Sequence, residues 1–150
     1  MAQWAKVNPY VLQQRVFGGS GYDIACADAR SAIVYERTNA LHPKVTPIPF
    51  SPEFKDQLFF VYLNQKQDSQ KAVAAFDKSK LTSSRIKKIN TLTAQFLQKV
   101  NLQNFQELML EHEEIIGHII GMTPLQKHLF TDYNGAVKSL GAWGGDFVLA

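Results

Sequence analysis

Apolar residues recur every three to four positions from Leu102 to Ile120, at Leu102, Phe105, Leu108, Met109, His112, Ile115, Ile116, Ile119 and Ile120, and Gly121 follows directly. That spacing lines one face of a helix, and glycine is the usual residue to end one. Each large aliphatic side chain gains about 1.5–3 kcal/mol on leaving water, so a stripe this long requires another apolar layer to lie on. Two segments rich in β-branched and aromatic residues, Ser31–Arg37 (SAIVYER) and Leu58–Leu63 (LFFVYL), read as strands able to supply it. Ala136–Leu140 and Phe147–Ala150 read as two further short strands around a glycine turn.

The remaining elements are helical. Asn8-Pro9 is a helix start and Gly18-Gly19 a stop for the run Tyr10–Phe17. A helical pattern begins at Ser69 with Ala72, Val73 and Phe76, and resumes at Ile86, Ile89, Leu92, Thr93, Phe96, Leu97 and Val100. Thr123-Pro124 is expected to open another helix, with Leu125, His128 and Leu129 on its inner side. The prolines at 43, 47, 49 and 52 read as an extended connection. The expected architecture is an α+β sandwich with helices packed on one face of a small, mainly antiparallel sheet, forming a single domain over residues 1–150.

A chain of 150 residues with 45% hydrophobic residues can build a core without disulfides or a structural metal, and its one cysteine forms no internal bridge. No apolar run is long enough to span a membrane, and MAQWAKVNPY lacks the apolar stretch of a secretory leader, so a cytoplasmic location and no membrane partner are expected. The net charge of +3 is segregated. Residues 66–100 hold eight lysines and arginines against Asp68 and Asp77, whereas 101–121 hold four glutamates and neither lysine nor arginine. Neighbouring helices of opposite sign explain this better than a phosphate-binding face, and the basic stretch lacks a stacking platform, so no nucleic-acid partner is expected.

Two glycine-rich turns carry the candidate chemistry: Gly18-Gly19-Ser20-Gly21-Tyr22-Asp23 and Gly141-Ala142-Trp143-Gly144-Gly145-Asp146. Neither is a Walker loop, because no Gly-Lys-Ser/Thr follows, and neither fits the dinucleotide fingerprint. The first runs into a short helix, expected over Asp23–Ala29, so Asp23 is either a carboxylate presented for chemistry or a plain helix N-cap. Trp143 is either the flat wall of a pocket or a core residue. His112 reads as a satisfied, half-buried histidine in preference to a base, Lys138 as a motif lysine or a strand-edge charge, and Cys26 as small core packing. The glutamates at 107, 111, 113 and 114 show no metal-ligand spacing with histidine, and no metal ligands are assigned.

The block Gly19–Arg37, GSGYDIACADARSAIVYER, resembles the SG-x-D segment of the GHMP kinases, the family that includes galactokinase, homoserine kinase, mevalonate kinase and phosphomevalonate kinase. Gly21-Tyr22-Asp23-Ile24-Ala25 resembles in particular the subgroup named for its GYDIA string. Leu108-Met109-Leu110-Glu111-His112 through Gly121 is similar to the family's substrate-side helix. Gly135-Ala136-Val137-Lys138-Ser139-Leu140-Gly141-Ala142-Trp143-Gly144-Gly145 is similar to its third motif, K-x-T-G-A-G-G-G, with Leu140 at a Ser/Thr position and Trp143 at a glycine position.

The resemblance implies a GHMP-type C-terminal fold and ATP-dependent, Mg2+-dependent phosphoryl transfer to a small-molecule alcohol or phosphate acceptor, mevalonate-kinase-like in pattern. It implies Asp23 as the catalytic residue. It makes Ser20, Gly21, Gly141, Ala142, Trp143, Gly144 and Gly145 the substrate and phosphate loops, with His112 and Lys138 on the substrate side. Nothing matches the family's P-x-x-x-G-L-G-S-S-A loop, so the chain is read as a C-terminal portion lacking the nucleotide half and the last elements. Alone it is expected to be inactive, pairing with that half or self-associating through its docking surface. The alternative is a non-catalytic binding or interaction domain on the same scaffold, because the phosphate loop is missing and Leu140 and Trp143 depart from the motif.

Overall fold

The computed structural model describes residues 4, 6–39, 41–65, 76–141 and 143–150. Within the stretch read as one domain, the chain divides into two compact units, Met1–Ser51 and Pro52–Ala150.

In the first unit, helix α1 (Pro9–Val16) starts where Asn8 Oδ1 accepts from the amides of Tyr10 at 2.8 Å and Val11 at 3.3 Å, satisfying donors that have no partner inside a helix. Helix α2 (Tyr22–Asp28) follows the first glycine turn. Strand β1 (Ala32–Glu36) pairs antiparallel with β2 (Lys44–Ile48). Strand β2 corrects the expectation of an extended connection. Pro47 sits in it opposite Ile33, which a two-stranded ribbon allows because both strands are edges and need not donate on their outer side.

In the second unit, β3 (Phe60–Tyr62), β5 (Phe147–Leu149) and β4 (Lys138–Ser139) form an antiparallel sheet in the order β3-β5-β4. Leu149 lies opposite both Phe60 and Lys138. Helices α3 (Ser83–Phe96) and α4 (Leu102–Ile120) pack on each other, and α4 also contacts β4. Thr82 caps α3, Asn101 caps α4, and Gly121 ends α4 with φ 73°, a left-handed conformation that suits glycine. Phe54, Phe105, Met109 and Ala136 form one core cluster, and Leu125, Val137 and Val148 another. The class is therefore α+β, with two separate small antiparallel sheets in place of one.

The segregated charges meet as expected. Lys88 Nζ lies 2.6 Å from Glu111 Oε1 across the α3–α4 contact, a half-exposed pair contributing about 0–1 kcal/mol. The helix expected after Thr123-Pro124 is only a 3-10 turn, Leu125–Lys127. Leu125 is buried but His128 and Leu129 are exposed, so one turn buries all that this segment has to bury. Of the helical pattern beginning at Ser69, Ala72 and Val73 lie outside the described residues, and Phe76 is in a non-helical segment. Among the described residues no helix is long and apolar enough to cross a membrane.

Candidate functional site

The first glycine turn is held by what surrounds it. Gly18, Gly19 and Gly21 have φ of 67°, 93° and 82°, a region that side chains disfavour. Gly21 is further constrained by space, since a Cβ there would fall 2.9 Å from the Tyr10 ring and 3.2 Å from the Tyr35 hydroxyl. Tyr35 donates its hydroxyl to the Ser20 carbonyl at 2.6 Å, and Gln14 and Arg37 donate to the Gly19 carbonyl at 2.9 and 3.2 Å. Ser20 Oγ accepts from the Tyr22 amide at 3.2 Å, so the serine's acceptor serves the start of α2.

Asp23 then falls inside the first turn of α2, two residues beyond the N-cap position, which Gly21 occupies. Its side chain is exposed and enters no hydrogen bond or ion pair among the described residues. Cys26 is also exposed, which corrects its reading as core packing: α2 buries only Ala25. A hydrogen bond with Cys26, followed by burial, raises the Tyr22 hydroxyl above the ordinary tyrosine range.

The second group belongs to the other unit and centres on a residue that sequence reasoning missed. Glu113 is 1% exposed. Its Oε2 accepts from Ser139 Oγ at 2.9 Å and its Oε1 from Trp143 Nε1 at 3.2 Å, with Lys138 Nζ 3.5 Å from Oε1. One carboxylate on α4 thus ties together β4 and the glycine loop after it. Trp143 lies along the same helix face one turn on. A methyl group at Gly117 would come within 3.0 Å of its ring and 2.6 Å of the Met122 carbonyl oxygen. Trp143 is therefore a half-buried residue that packs on α4 with its one polar atom bonded to Glu113. In the loop, Gly141 and Gly144 take φ of 63° and 89°, Gly145 is buried, and Ala142 lies outside the described residues.

Lys138 is neither a free edge charge nor a free phosphate ligand. Burial holds its ammonium below the ordinary lysine range, while Glu113 pulls the other way through its charge and hydrogen bond. Burial, with the Lys138 charge adding to it, pushes His112 down to about 4. The histidine is half-buried as read from sequence but not satisfied, because its Nδ1 is buried with no hydrogen-bond partner among the described residues. A second missed residue, Gln126, fixes the approach to β4 by donating to the Gly135 carbonyl at 2.6 Å and accepting from the Val137 amide at 2.9 Å. The structure thus brings His112, Lys138 and Trp143 together around Glu113, whereas Ser20, Gly21 and Asp23 belong to the first unit.

A histidine kept neutral by the fold but free to protonate when unfolded makes folding less favourable as pH drops from 6.5 towards about 4. The melting temperature of the chain is expected to fall across that window, and His112→Asn to fall less. Parallel melting curves for the two would contradict the assignment. Compared with protein-family models, curated proteins and solved structures, the chain matches none.

Proposed function

We propose that the chain is the acceptor-side, C-terminal portion of an ATP-dependent small-molecule kinase of the GHMP type, acting on an alcohol or phosphate acceptor. The observation that carries this reading is the position of Asp23. Gly21 occupies the N-cap position and Ser20 Oγ accepts from the Tyr22 amide, so an exposed carboxylate with no partner among the described residues remains in the first turn of a helix behind a glycine turn. Such a group can accept a hydrogen bond or a proton from an acceptor hydroxyl, and phosphoryl transfer draws mostly on positioning of this kind. The co-linear order of the SG-x-D block, the α4 segment and the Lys138–Gly145 block adds support.

Among the described residues no three His, Cys, Asp or Glu side chains converge to hold a metal ion, and the Gly19 and Ser20 carbonyls are already bonded. The described residues thus form no all-protein cage for magnesium, and the sequence holds no match to the phosphate loop that would hold the nucleotide. Both are assigned to the phosphate-loop half, and the contribution of this chain is to bind, orient and deprotonate the acceptor. The rival reading, a non-catalytic domain, draws on the second loop, where Trp143 spends its indole N–H on Glu113.

Residues 1–150 alone are expected to bind Mg-ATP only weakly and to turn nothing over. A full gene product with a phosphate loop is expected to phosphorylate an alcohol or phosphate monoester, followed by phosphorus NMR. Micromolar Mg-ATP affinity of residues 1–150 by calorimetry would contradict this division of labour. A loop-bearing product that phosphorylates no acceptor would favour the non-catalytic domain.

A further inference from the structure

We infer that the groove at the C-terminal end of α4 is a binding site for a compact phosphate-bearing anion, a small mono- or diphosphate. The inference goes beyond the kinase reading and holds whether or not Asp23 is catalytic. The groove has a volume of about 720 Å³, within the range of small-molecule sites, and none of the described Lys138–Gly145 loop residues lines it. Ser79, Lys80, Arg85, His118, Thr123 and Lys127 converge on it from four separate stretches: the 3-10 turn Lys78–Lys80, α3, the last turn of α4 and the turn after it. All six carry nitrogen or hydroxyl groups able to donate to phosphate oxygens.

The charges do not balance within the groove. Lys80, Arg85 and Lys127 face one carboxylate, Glu114, and Lys127 engages it at 2.5 Å. Lys80 and Arg85 form no ion pair among the described residues. Asp77, at the edge, feels the Lys80 charge, but its carboxylate is taken up by Ser79 through the amide at 2.9 Å and the hydroxyl at 2.6 Å. A helix C-terminus attracts cations, yet its partial charge is only about half a unit, and His118 already stands in the last turn of α4. Two further full charges exceed what the helix end explains.

The cations are also set in place. Arg85 Nη1 donates to the Lys80 carbonyl at 2.5 Å, joining α3 to the turn and leaving other guanidinium donors available. Lys80 Nζ lies over Gly121, 3.3 Å from where a Cβ would stand. Among the described residues no aromatic side chain lines the groove, which favours a small anion over a polynucleotide.

The test is calorimetric titration of residues 1–150 with inorganic pyrophosphate, orthophosphate and glycerol phosphate in separate arms, which distinguish an inorganic from an organic source. Saturable binding of at least one is expected. Lys80→Gln, an exposed change, should weaken it tenfold or more, as loss of a charge-assisted bond does, while Lys55→Gln, outside the groove, should not. Because Arg85 also braces the turn, Arg85→Lys serves as the second variant, with melting temperature checked for each. Absence of saturable binding, binding unchanged in Lys80→Gln, or equally tight binding of sulfate would overturn the inference. So would a preference for single-stranded oligonucleotide with a steep salt dependence, which would mark a polyanion surface.

Discussion

Replacing Glu113 by alanine is expected to lower the stability of the second unit by about 3–5 kcal/mol, the usual cost of removing one partner from a buried ion pair. The Lys138 side chain is only 21% exposed and would lose its counter-charge. Ser139 Oγ and Trp143 Nε1 would lose their acceptor, and each buried donor left unpaired costs about 1–3 kcal/mol. Against a total of about 5–15 kcal/mol for a typical domain, the loss is large. Removing both charges separates the pair from its burial. Glu113→Met combined with Lys138→Met should recover part of the loss, because apolar residues of similar volume pack where the ions were. Urea unfolding of parent, single and double variants measures this, and a Glu113→Ala protein within about 1 kcal/mol of the parent would show that the carboxylate is not holding β4 and the loop.

Glu113 shows why part of the site could not be read from sequence. It stands beside Glu111 and Glu114 in a helix whose other glutamates face solvent, and a run of like charges reads as a solvated face. The available signal is the four-residue row Phe105, Met109, Glu113 and Gly117, all buried, which puts the glutamate on the inner line of α4. Its partners lie 26 and 30 residues away and follow from packing of β4 and its loop, which no local pattern encodes. Helix α4 itself was legible because its apolar stripe and glycine stop agree over 19 residues. Strand β2 was not, because four prolines hid a ribbon in which Pro47 is tolerated at an edge. The division between Ser51 and Pro52 falls in that same proline-rich stretch, so a boundary signal was present there. The glycines of both candidate loops were legible for a physical reason, since five of them adopt positive φ.

Asp23→Asn in a product that carries the phosphate loop is expected to reduce turnover by about 10²–10⁴-fold, the usual contribution of a placed acid–base group. Asparagine preserves the size of the side chain and its hydrogen-bonding capacity but removes the negative charge and the ability to take up a proton. Because Asp23 is exposed, bonds to nothing among the described residues and is not the N-cap, the change should leave the melting temperature where it was. Nucleotide affinity should also hold, since the phosphates are assigned to the other half. A purely structural role predicts the reverse pattern, a shifted melting temperature with turnover following it. The deciding measurement is therefore the turnover number of Asp23→Asn beside the parent, taken on samples of matched melting temperature. A drop of two or more orders of magnitude at unchanged stability is expected, and equal turnover would remove Asp23 from the chemistry and leave the kinase reading without its catalytic residue.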